Sequence, residues 1–136
     1  MNADALAPNT TPPSVDGGLL RFALTLDGVV TGANGIALLA GAPMLDRWLG
    51  LPAGLLVAVG AFLTVYGALV LRLSSGPVRG AVVAVIAANA MWAADTLLAL
   101  ALDWHDPTLA GQLVIAVQAV GCAGFAALQY LGLKQA

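Results

Sequence analysis

Four apolar runs, at roughly 19–41, 51–71, 78–102 and 108–131, constrain this chain more than any other feature of it. Each is close to the ~20 residues a helix needs to cross about 30 Å of hydrocarbon. A soluble domain carries about a quarter of its residues as charges. Here 9% of the 136 residues are charged and 60% are hydrophobic. The apolar excess is gathered into runs of bilayer length rather than scattered, so the sequence predicts one all-α, four-transmembrane-helix bundle over residues 19–133. Alternation of apolar and polar residues at period two is absent, which excludes a transmembrane barrel.

Prolines punctuate the runs. Gly41-Ala42-Pro43 is expected to stop the first helix, Pro52 and Pro77 to open the second and third, and Asp106-Pro107-Thr108 to cap the fourth with proline at its first turn. Connections of under ten residues predict an up-down-up-down order. Arg21, Arg72, Arg79 and Lys134 then fall on one side, against Arg47 with Asp46, Asp103 and Asp106 on the other. That asymmetry predicts cytoplasmic termini. Trp48, Trp104 and Tyr130 stand near the run ends, where amphipathic rings favour the headgroup level. Residues 1–18, "MNADALAPNTTPPSVDGG", hold three prolines and no Lys or Arg, so they lack the charged start of a signal peptide and are expected to be a disordered tail.

Several function classes drop out. Five Lys and Arg against seven Asp give a net charge of −2, so no basic surface for nucleic acid is expected. The expected partners are the lipid bilayer and either a second copy or another membrane protein. The single Cys122, in "AVGCAGFAAL", excludes an internal disulfide and a cysteine metal cluster, and reads as packing. His105, the only histidine, lies in "DWHDP" on the side opposite Ser74 and Ser75, so no serine–histidine–aspartate geometry is available and a solvated loop histidine is the better reading. Phosphate-cradling glycine loops are absent. No enzyme activity, metal or cofactor is expected.

What remains is a set of polar residues inside apolar runs. Asp27, Thr31 and Asn34 follow i, i+4, i+7 spacing and form one stripe, while Gly28, Gly32 and Gly35 form a ridge roughly 100° around the same helix. Gly60, Thr64 and Gly67 make a small-residue ridge on the second run; both ridges suit close helix contact. Asn89, Trp92 and Thr96 share a face of the third run with Asp95 beside Trp92, and Gln118 and Gln129 lie on one stripe of the fourth. An ionised Asp near the bilayer centre costs roughly 2.5–3.5 kcal/mol, so Asp27 and Asp95 are expected to face the bundle. No Lys or Arg lies mid-run to pair with them.

The candidate polar site is therefore Asp27, Thr31, Asn34, Asn89, Asp95 and Gln118. Two readings compete. In one, these groups are interhelical packing, each bond worth about 0.6–2 kcal/mol, in a protein with a structural or accessory role. In the other, Asp27 and Asp95 serve a proton- or cation-coupled small-molecule carrier. A faint internal repeat lays "LLAGAPMLDRW" over "LLALALDWHDP".

The segments "LDGVVTGANGIALLAGAPMLDRWLGLP", "ANAMWAADTLLAL" and "LVIAVQAVGCAGFAALQYLGL" resemble small four-helix bacterial integral membrane proteins, over residues 20–133. The resemblance implies a bacterial inner-membrane location and transfers no catalytic or binding residue. Small multidrug-resistance carriers are similar in size and in having an acid in the first span. This chain departs from them: its acid is Asp27 rather than Glu, the surrounding pattern differs, and its charge bias argues against their antiparallel pairing.

Overall fold

The computed structural model describes residues 17–136, which form four α-helices: α1 (Gly18–Leu49), α2 (Ala53–Ser75), α3 (Arg79–Ala101) and α4 (Leu109–Gln135). All four are long and apolar enough to cross a membrane. Of the expected tail, residues 1–16 lie outside the described residues, while Gly17 is the N-cap of α1 and Gly18 its first residue.

The end of α1 departs from expectation. Pro43 does not stop it: the helix runs through to Leu49, 32 residues in all and about 48 Å at 1.5 Å per residue. Proline removes one N–H and crowds the carbonyl four residues earlier. Burial outweighs that cost here, because Ala42, just before the proline, and Leu49, beyond it, pack with Leu38, Leu56 and Leu63. The helix stops at Gly50, whose φ of 67° lets its N–H reach back to the Asp46 carbonyl at 3.0 Å.

The start of α4 is fixed by Thr108 rather than Asp106. Its hydroxyl accepts from the Gly111 N–H at 3.1 Å and donates to the Trp48 carbonyl at 2.5 Å, while its own N–H donates to Leu49 O at 3.1 Å. One residue thus caps α4 and ties it to the end of α1. Pro107 precedes the cap instead of opening the helix.

Each helix packs against its neighbour in sequence except at one seam. The closest pairing is α1 with α2, followed by α3 with α4 and α4 with α1, whereas α2 and α3 barely meet. Glycine explains the first. A Cβ added at Gly35 would stand 2.5 Å from Thr64 N, and one at Gly67 2.5 Å from Gly32 N, so the backbones touch where a side chain would otherwise be. Because Gly28 meets Leu71 and Gly35 meets Thr64, the two helices run antiparallel. In the same way Gly132 sits on Leu20 and Gly111 against the Leu49 carbonyl, which sets α4 antiparallel to α1.

Two apolar clusters result. Leu20, Leu24, Val70, Val82, Val85 and Leu133 join all four helices near the end that carries Arg79 and Lys134. At the other end, Leu38, Ala42, Leu49, Leu56 and Leu63 join α1 and α2, with Trp92 packed against them. The outward faces are apolar too, including Phe22, Ile36, Val65, Leu98 and Val120.

Candidate functional site

Asp27 is fully buried and stands where three helices converge. Oδ1 accepts from the hydroxyl of Thr31, one turn along α1, at 2.8 Å. Oδ2 accepts from Asn89 Nδ2 on α3 at 2.8 Å and from Gln129 Nε2 on α4 at 2.7 Å. The two amides are themselves joined, with Asn89 Nδ2 donating to Gln129 Oε1 at 3.0 Å. Asn89 is 4% exposed and Gln129 is fully buried, so the contact of Asp27 with these two amides is closed to solvent.

The energetics follow from its position. At 1.5 Å per residue the three residues lie about 9–15 Å in from the helix ends that carry Arg79 and Lys134. Three interhelical-type bonds at about 0.6–2 kcal/mol each are comparable with the insertion cost of a carboxylate. More decisive is saturation. Both oxygens are occupied by side-chain donors, and removing Asp27 would strand the Asn89 and Gln129 amides in an apolar interior.

Thr31 and Asn89 also form part of the wall of a cavity of about 500 Å³ that all four helices line. Asn34 and Gln118, expected in the polar site, stand on this cavity and do not join Asp27. Phe62, Tyr66, Trp92 and Phe125 supply aromatic walls, and Cys122 is a half-buried part of the same lining. Phe62 stacks between Tyr66, with centroids 5.9 Å apart, and Trp92, at 5.7 Å. With a 3.4 Å hydrogen bond from the Tyr66 hydroxyl to Val85 O, this stack spans the seam between α2 and α3.

Asp95 does not belong to the site. It is exposed on α3, contrary to the expectation that it faces the bundle. Six residues separate it from Asn89, which places it about 120° around the helix from the face that meets Asp27. Gln129, which shares a stripe with Gln118 but stands outside the candidate set, is the residue of α4 that reaches the acid.

Elsewhere, Ser74 and Ser75 donate to the carbonyls of Leu71 and Arg72 near the end of α2. His105 packs against Trp104, with ring centroids 4.2 Å apart. Among the described residues no three His, Cys, Asp or Glu side chains gather as a group that can hold a metal. Compared with known proteins, the chain matches no family model, no curated protein and no solved structure.

Proposed function

We propose that this chain is a four-span integral membrane protein with an up-down-up-down path and both termini cytoplasmic, and that Asp27 serves as its interhelical fastener. In this reading the protein has a structural or accessory role rather than that of a carrier. The observation that carries it is the saturation of Asp27. Thr31, Asn89 and Gln129 occupy both carboxylate oxygens from three helices, leaving neither turned toward the cavity. A carrier acid needs a face that cargo can reach, and the second acid the carrier reading needs, Asp95, points away. The apolar outward faces support residence in a bilayer, the Lys/Arg asymmetry supports the orientation, and the resemblance to bacterial membrane proteins supports the inner membrane.

Asp27→Asn tests the role. The amide keeps the size of the acid but brings two donors to a place where Thr31, Asn89 and Gln129 already donate. Thermal unfolding of the purified protein in detergent should show a loss of about 1–3 kcal/mol, and liposomes carrying either form should show no proton- or cation-coupled flux. Flux in the wild type that disappears in a normally stable variant would overturn the reading in favour of a carrier. Orientation is tested separately: in a cysteine-free Cys122→Ala background, single cysteines replacing Leu51 or His105 should react in intact cells with an impermeant thiol reagent, and one replacing Ser75 should not.

A further inference from the structure

We infer that the cavity between the four helices is a binding site for a small neutral molecule drawn from the bilayer, with a largely apolar body and a hydrogen-bond acceptor. Its volume, about 500 Å³, lies within the range of small-molecule sites, and its walls combine apolar surface with a few convergent polar groups. Two of those polar groups are uncommitted and reachable from it; Trp92 also lines the cavity, but its Nε1 is buried away from the open space. Asn34 on α1 and Gln118 on α4 make no side-chain hydrogen bond among the described residues, although both line the cavity. Each amide offers N–H donors to a molecule with a carbonyl-type oxygen.

Charge defines the class further. No Asp, Lys, Arg or His lines the cavity, and the nearest acid, Asp27, is fully buried with both oxygens held by Thr31, Asn89 and Gln129. An ion would enter without a counter-charge, so the ligand is neutral. The supply route is lateral. The cavity opens toward lipid beside Phe62, Leu113 and Val117, which line it and are exposed on the outward faces. Gly121 supplies a control position, because it lines the cavity and a Cβ built on it meets nothing within 4 Å. The inference stands apart from the role of Asp27, which does not line the cavity.

Benzophenone is a suitable probe, being neutral, apolar at both ends, carbonyl-bearing and photoreactive toward C–H bonds. The full-length protein in lipid nanodiscs is illuminated over a range of benzophenone concentrations, and the adducts are located by mass spectrometry. The expected result is saturable insertion into residues 113–125 of α4 and 62–66 of α2. Gly121→Leu, or Val117→Phe as a second filling variant, should reduce it at least tenfold. Replacing both amides, Asn34→Leu with Gln118→Leu, keeps their bulk but removes the donors, and should raise half-saturation about threefold to tenfold. Competition by diphenylmethane, which has the same shape without the carbonyl, should be indifferent to that change. Labelling that rises linearly with concentration, falls equally on outward Met91 and Leu98, and ignores the filling variants means bilayer partitioning and overturns the site. Saturable labelling unaffected by the loss of both amides overturns the assignment of an acceptor-bearing ligand.

Discussion

The seam between α1 and α2 and the seam between α2 and α3 are both made by α2, yet they are built from opposite materials. On the α1 side, Gly60 and Gly67 bring backbone to backbone, with Gly28 and Gly35 receiving them from the other helix. On the α3 side there is no such ridge among the described residues; contact passes through side chains, with Phe62 stacked on Trp92, Tyr66 bonded to Val85 O, and Val70 in one cluster with Val82 and Val85. Small residues let helices approach until main-chain atoms touch, which maximises dispersion contacts and leaves no volume between. Large aromatic rings hold helices apart and leave cavities beside them. The same helix is thus locked to one neighbour and propped against the other. The polar cluster matches this division, because Asp27 ties α3 and α4 to α1 and leaves α2 out.

The largest effect expected from breaking this contrast is at Gly67. A Cβ there would lie 2.5 Å from Gly32 N, 2.7 Å from Gly32 Cα and 2.9 Å from Gly28 O, all backbone atoms that no rotamer change can move aside. Gly67→Ala should therefore force α1 and α2 apart, at about 1–3 kcal/mol for an overpacked core site. A pronounced drop in the detergent melting temperature is the expected reading. An unchanged midpoint would mean that the α1–α2 seam is no tighter than the others.

How much of this was legible in the sequence depends on which coordinate is asked for. Helical period fixes angle, so Asp27 with Thr31, the glycine ridges and the inward face of Asn89 could all be read from spacing. Angle also argues against Asp95, whose six-residue separation from Asn89 turns it away, although the cost of an acid in the bilayer argues for an inward face. Axial register is a different matter. Gln118 and Gln129 are only about 20° apart around α4, so periodicity treats them alike. What selects Gln129 is the height at which α4 docks on α1, set by Gly132 on Leu20, by Gly111 against Leu49 and by the two-way bonding of Thr108. Those contacts lie between helices, and no single-helix pattern encodes them. Pro43 failed as a stop signal for a related reason, since the burial of Ala42 and Leu49 against α2 is a property of the pair. The two segments of the faint repeat also differ in structure: "LLAGAPMLDRW" is helical throughout, whereas "LLALALDWHDP" leaves its helix after Ala101.

The smallest expected effect, and the sharpest test of the contrast, is at Gly32. By pattern it belongs with Gly28 in a GxxxG pair and reads as essential to packing. The geometry separates its two roles. Gly32 is where the missing side chain of Gly67 would collide, but a Cβ on Gly32 itself meets only Gly67 Cα, at 3.9 Å, an ordinary van der Waals separation. The backbone of Gly32 is needed, and its lack of a side chain is not. Alanine in a helix interior is favoured over glycine by roughly 0.5–1 kcal/mol, because glycine loses more conformational freedom on folding. Gly32→Ala should therefore leave the melting temperature unchanged or raise it, while Gly67→Ala, a methyl added across the same contact, lowers it. Opposite signs from one added carbon on either side of a single interface would establish that α2 supplies the gap and α1 fills it. Equal losses at both positions would show that the seam tolerates no added carbon on either face, and would return Gly32 to the role its motif suggests.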